Sequence, residues 1–159
     1  MVPLSDLSAL SEQINEATDE ANQTLRDFEA QLMKLNLGIP AEAVIQRTDI
    51  PFSIAKSLYP DRVQTSAPCY ELMSLAWVKV GGKWGLKLLS EILQKSEGPN
   101  VPDEVIFREA QAVSNLSRQN RFLAIKNLEK LVAALKETGD KLLMDVREAK
   151  KYIAGIERV

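Results

Sequence analysis

The stretch Val78-Lys79-Val80-Gly81-Gly82-Lys83-Trp84-Gly85-Leu86, VKVGGKWGL, concentrates three glycines and two lysines in one short run and has two opposed readings. A phosphate-cradling P-loop needs GxxxxGK[ST] between a strand and a helix. Here Gly82-Lys83 is followed by Trp84, and the position five residues before Gly82 is Trp77. The dinucleotide pattern GxGxxG fails as well, because the glycines stand at 81, 82 and 85. What remains is a β-hairpin with Gly81-Gly82 as its two-residue turn, since the primed turns that match strand twist need positive φ, which glycine adopts without a Cβ penalty.

Pairing Val80 with Lys83 sets the register of that hairpin. Leu75, Trp77, Lys79, Trp84, Leu86 and Leu88 then share one face, and Ala76, Val78, Val80, Lys83, Gly85 and Lys87 the other. Trp77 stands opposite Leu86 and Leu75 opposite Leu88, so the first face carries the apolar bulk and is expected to meet helices. The second is small and partly cationic, and so more exposed.

Outward from the hairpin, the chain is periodic at both ends. From Ser5 to Leu35 the apolar residues Leu7, Leu10, Ile14, Ala17, Ala21, Leu25, Phe28, Leu32 and Leu35 recur at steps of three and four, which predicts one long amphipathic helix. Ser5 or Ser8 can cap its start, and Gly38 followed by Pro40 stops it. A second seam runs through Ala124, Leu128, Leu131, Leu135, Thr138, Leu142, Val146, Ala149, Ile153 and Ile156. With Pro102 suited to a first helical turn, it predicts a helix over about 103–156, continuous through Gly139 or broken there. Each seam contains one four-four step, a stutter that locally unwinds a heptad repeat. Between the helices, residues 41–46 read as a strand and 47–70, with Pro51, Pro60 and Pro68, as a long loop holding a short helical turn near 53–58.

The expected fold class is α+β: two long amphipathic helices at about 5–35 and 103–156, packed with a small antiparallel sheet that contains a 73–89 hairpin. With 159 residues, 45% of them hydrophobic and 26% charged, the chain suits one domain over 1–159. The first helix is acidic and the last segment basic, which favours laying one along the other in coiled-coil fashion. A helix of about 50 residues would reach some 75 Å, more than one globular layer covers, so its seam calls for a second copy of the chain. A homodimer is the expected assembly.

Composition excludes much chemistry. Histidine is absent and Cys69 is the only cysteine, which removes an intramolecular disulfide, Ser-His-Asp and Cys-His nucleophile systems, and the usual imidazole-based metal sites. The net charge of −2 argues against a protein devoted to phosphate neutralisation. No stretch approaches a membrane span and the first residues do not read as a leader, so a cytoplasmic location is expected.

Two groups of residues can make contacts. Arg118, Arg121 and Lys126 lie on a helical segment, where arginines three apart can grip a carboxylate or phosphate; a solvated face is the ordinary alternative. In the 47–70 loop, Tyr59, Asp61 and Arg62 are available, although Tyr59-Pro60-Asp61 reads first as a turn. Cys69 has no basic neighbour in sequence to activate it. Acid pairs such as Glu16 with Glu20, or Asp145 with Glu148, share a helical face and read as salt-bridged surface rather than a magnesium site. No catalytic, cofactor-binding or metal residue is assigned.

The leading expectation is a noncatalytic interaction or scaffold protein that self-associates through its helices and offers the hairpin and the 47–70 loop to an unidentified protein partner. The alternatives are an accessory factor meeting nucleic acid through Arg118, Arg121 and Lys126, and a small enzyme using carboxylates and a metal.

Overall fold

The computed structural model describes residues 4–156. The elements are α1 (Leu4–Leu35), β1 (Ala41–Ile50), α2 (Phe52–Leu58), β2 (Cys69–Val80), β3 (Lys83–Gln94), β4 (Glu104–Ala112), a 3-10 turn (Val113–Asn115), α3 (Arg118–Lys126) and α4 (Leu128–Ile156). The four strands form an antiparallel meander in the order β1-β2-β3-β4, and the protein is of the α+β class.

The hairpin register is the one that the glycine pair dictates. Val80 pairs with Lys83, Trp77 with Leu86 and Leu75 with Leu88, while Gly81 and Gly82 sit at φ +59° and +82°. Leu75, Trp77, Leu86 and Leu88 are all buried in the main core cluster, and the two indoles stack with ring centroids 5.9 Å apart. Lys79, on the same face, stays exposed near the tip. On the second face Val80 is exposed, but Ala76 and Gly85 are buried. Both strands run well past 73–89, and at their far ends Cys69 and Ile92 join Ala55, Val63 and Ile106 in a second, smaller cluster. In the regular β2–β3 register Cys69 and Ile92 share the face of Leu75 and Leu88.

Helix α1 ends where Asn36 and Gly38 take positive φ, ahead of Pro40. It is already helical at Leu4, so Ser5 and Ser8 lie inside it and the residue that caps it falls outside the described residues. β1 extends to Ile50, and α2 matches the helical turn expected near 53–58. The expected loop at 47–70 thus shrinks to residues 59–68.

The helix expected over 103–156 is corrected at its start. Residues 104–112, EVIFREAQA, form the edge strand β4, whose backbone bonds go to β3. Pro102 precedes this strand rather than opening a helix. The chain turns helical only at Ser117, whose hydroxyl accepts from the Asn120 N–H at 3.3 Å as an N-cap. The break falls at Asn127, the buried C-cap of α3, and α4 runs on through Gly139. At 29 residues, α4 is roughly 44 Å long.

The expected coiled-coil pairing of the two long helices is also corrected. α1 packs on β3 and α3, whereas α4 lies over β1 and β2. Apolar side chains of the sheet, each fixed in direction by the pleat, set where each helix settles. Leu25, Leu32, Ala124, Leu131 and Leu135 converge there on Leu75 and Trp77. Ala41 and Ile45 face that cluster by regular alternation, a bulge between Val44 and Gln46 then shifts the phase so that Ile50 meets the second cluster, and a bulge opposite Ile92 and Leu93 accompanies the burial of Ile106 there.

Two stability measurements test this fold. Around Gly81 and Gly82 a Cβ meets nothing within 4 Å, so Gly82→Ala costs only the left-handed backbone penalty of about 1–2 kcal/mol. At Gly139 a Cβ would meet Ile39 Cδ1 at 3.6 Å, an ordinary contact. Gly139→Ala should therefore stabilise the protein by up to about 1 kcal/mol through helix propensity; urea unfolding reads both.

Candidate interaction surface

The uncovered surface of the long helices begins at a groove. Phe28, Leu32 and Leu35 of α1, Leu37 and Ile39 of the following connection, and Val132, Leu135, Gly139 and Leu143 of α4 enclose about 430 Å³. Its rim is polar: Gln31, Lys136 and Asp140. Lys136 Nζ meets Asp140 Oδ2 at 2.8 Å, one helical turn on, and this hydrogen bond raises the ammonium pKa. Gly139 lies on the groove wall beside Ile39.

Beyond the groove both helices lose their cover. In α4 every residue from 141 to 150 is exposed, including Leu142 at 47%, Leu143 at 55% and Val146 at 43% relative exposure. In α1, Leu7 and Leu10 are both 50% exposed. Leu7, Leu10, Leu142 and Val146 are seam positions, with Leu143 beside them, so the periodicity that buries Leu25 and Leu131 continues where nothing among the described residues covers it. Sequence reasoning found the seams but missed Leu37, Ile39, Val132 and Leu143 of the groove. Their signal is weak: each is an apolar residue beside the seam or next to Gly38.

The residues singled out in the sequence are distributed differently. Arg118 Nη2 donates to Asn15 Oδ1 of α1 at 3.1 Å, and Arg121 Nη2 donates to the Ser114 carbonyl at 3.3 Å. Arg121 Nε is buried without an acceptor among the described residues, beside a 90 Å³ void that Arg26 and Glu29 also line. Lys126 instead borders a separate, partly polar cleft with Gln46, Gln119 and Asn120. The structure therefore ties Arg118 to α1 and Arg121 to the 3-10 turn, and sets Lys126 beside a different cleft, so the three do not make one basic patch.

The loop residues brace the sheet. Tyr59 packs on the second cluster and stacks on Phe107 with centroids 5.5 Å apart; Arg62 Nη1 reaches the Ile106 carbonyl at 3.5 Å. Asp61 is exposed. Lys56 Nζ binds the carbonyls of Pro60 and Val63 at 2.7 and 2.6 Å, closing residues 59–63 onto α2. Cys69 is buried, and burial raises its thiol pKa, opposite to what a nucleophile needs. Glu16, Glu20, Asp145 and Glu148 belong to no group of three or more metal-competent side chains among the described residues.

The other sheet face is held by polar contacts. Arg47 lies over the Tyr70 ring at 3.9 Å, Arg108 pairs with Glu91, and the Tyr70 hydroxyl donates to Asp103. Burial, then this hydrogen bond, raises the Tyr70 pKa; the same bond, then the Ser96 N–H, holds the Asp103 carboxyl below the usual carboxylate range. No helix among the described residues is long and apolar enough to cross a membrane.

With this geometry in hand, comparison with known proteins gives no match: no family model, curated protein or solved structure aligns with the chain.

Because the folded pKa of Asp103 is depressed, its stabilisation is present above the unfolded carboxylate value and disappears as pH falls through the folded one. Tyr70→Phe should move the Asp103 titration, followed by carboxyl NMR, back toward the usual range. The stability difference between neutral and acid solution should shrink with it. An unchanged Asp103 titration would show that the hydroxyl does not govern it.

Proposed function

We propose that this chain is a noncatalytic interaction protein that self-associates through its two long helices. The observation that supports the reading is the continuation of both apolar seams beyond the part of the molecule that covers them. Leu7 and Leu10 on α1, and Leu142, Leu143, Val146 and Ile153 on α4, are large apolar side chains standing in water. Single exposed apolar residues are ordinary, but a stripe at helical spacing is the pattern of an interface. Each is about half exposed, so covering the remainder would contribute roughly 1 kcal/mol, about half the value for burying a whole side chain.

A helix of about 50 residues would call for a second copy by its length, but α4 has 29 residues. Exposure of the seams takes its place. Chemistry contributes to the reading through composition: histidine is absent and the sole thiol is buried. Arg118 and Arg121, held against α1 and the 3-10 turn, lend no support to a nucleic-acid surface.

Sedimentation velocity over a concentration series should show a dimer that dissociates on dilution. Val146→Asp, which sets a carboxylate in the seam without touching the core, should weaken it roughly tenfold or more. A wild-type chain that stays monomeric at every concentration reached would overturn the reading.

A further inference from the structure

Resting on that reading, we infer that the acidic outer half of α1 in one copy seats on the basic outer half of α4 in a second copy, and reciprocally. Residues 4–20 of α1 hold five carboxylates, Asp6, Glu12, Glu16, Asp19 and Glu20, and no lysine or arginine. Residues 141–156 of α4 hold four cations, Lys141, Arg147, Lys150 and Lys151, against two carboxylates. The two segments are nearly equal in length, each about 25 Å at the rise of an α-helix. Both carry a seam at steps of three and four, and within one chain neither covers the other: residues 5–13 and 141–150 are exposed throughout.

Competing pairings fare worse on electrostatic grounds. Two α1 halves together would collect ten carboxylates with no cation, and would leave both α4 seams in water. Two α4 halves would add like net charge and leave both α1 seams open. The mixed pairing attracts, and because each copy supplies one half of each kind, a two-fold dimer covers all four seams at once. Exposed ion pairs contribute little individually, so the affinity comes from Leu7, Leu10, Leu142 and Val146, while charge selects which helix meets which.

A charge-reversal cycle tests the pairing. One variant carries Asp6→Lys, Glu12→Lys and Glu16→Lys; another carries Lys141→Glu, Arg147→Glu and Lys150→Glu; a third combines all six. Each of these side chains is exposed, and circular dichroism checks that the fold persists. Each single set should weaken the dimer at least tenfold at low salt, and the combined set should restore it, with the wild-type dimer weakening as salt screens the attraction. Disulfide trapping reads the same geometry: Cys69 is buried at 2% exposure, so chains with Leu10→Cys and chains with Ala149→Cys should cross-link to each other on mixing faster than either does alone. A dimer indifferent to both reversals, or cross-linking faster within one variant than between the two, would overturn this pairing and leave self-association standing. A wild-type monomer would remove both.

Discussion

The face of the β2–β3 ribbon that carries Leu75, Trp77, Leu86 and Leu88 is the support on which the molecule is assembled. All four are buried, and the core residues of α1, α3 and α4 converge on them. Strand pairing holds these side chains on one side at fixed spacing, so a helix that offers leucines at matching intervals finds a surface already arranged. Any slip of one residue in the turn would swap this face for the one bearing Lys83, Gly85 and Lys87. Two glycines at positive φ prevent that slip, so local backbone freedom at Gly81 and Gly82 governs a core that lies mostly elsewhere.

A short support under long helices has a consequence. α1 and α4 each run for about thirty residues, but the apolar part of the sheet reaches only the second half of one and the first half of the other: Leu25 and Leu32 of α1, Leu131 and Leu135 of α4 are buried. The seam sequence keeps its phase over the full length. Apolar surface that the fold does not use is therefore present in both helices, and it coincides with the segments of opposite net charge. This combination underlies the view of the protein as a self-associating module.

The far end of the sheet has a different logic. There Ala55, Val63, Cys69, Ile92 and Ile106 form a small core under α2, and Tyr59, Lys56 and Arg62 tie the intervening residues to the sheet. Proline and turn residues made this region read as an open loop, whereas lysine-to-carbonyl bonds and an aromatic stack give it order. Tyr59 and Arg62 serve the fold here.

Local periodicity and turn chemistry by themselves determined the hairpin and its register, the existence of α1 and its end near Gly38, and the second seam from Ala124 onward. These depend on contacts a few residues apart or on backbone preferences of single residues, which a sequence displays directly. Tertiary structure alone decided that residues 104–112 become a strand, because an edge strand is stabilised by a partner, β3, whose presence a local pattern does not announce. It alone separated Lys126 from Arg118 and Arg121, since α3 turns them toward different neighbours. It also decided which half of each seam is dry: both halves have the same spacing, and only the finite width of the sheet distinguishes a leucine in the core from one left in water.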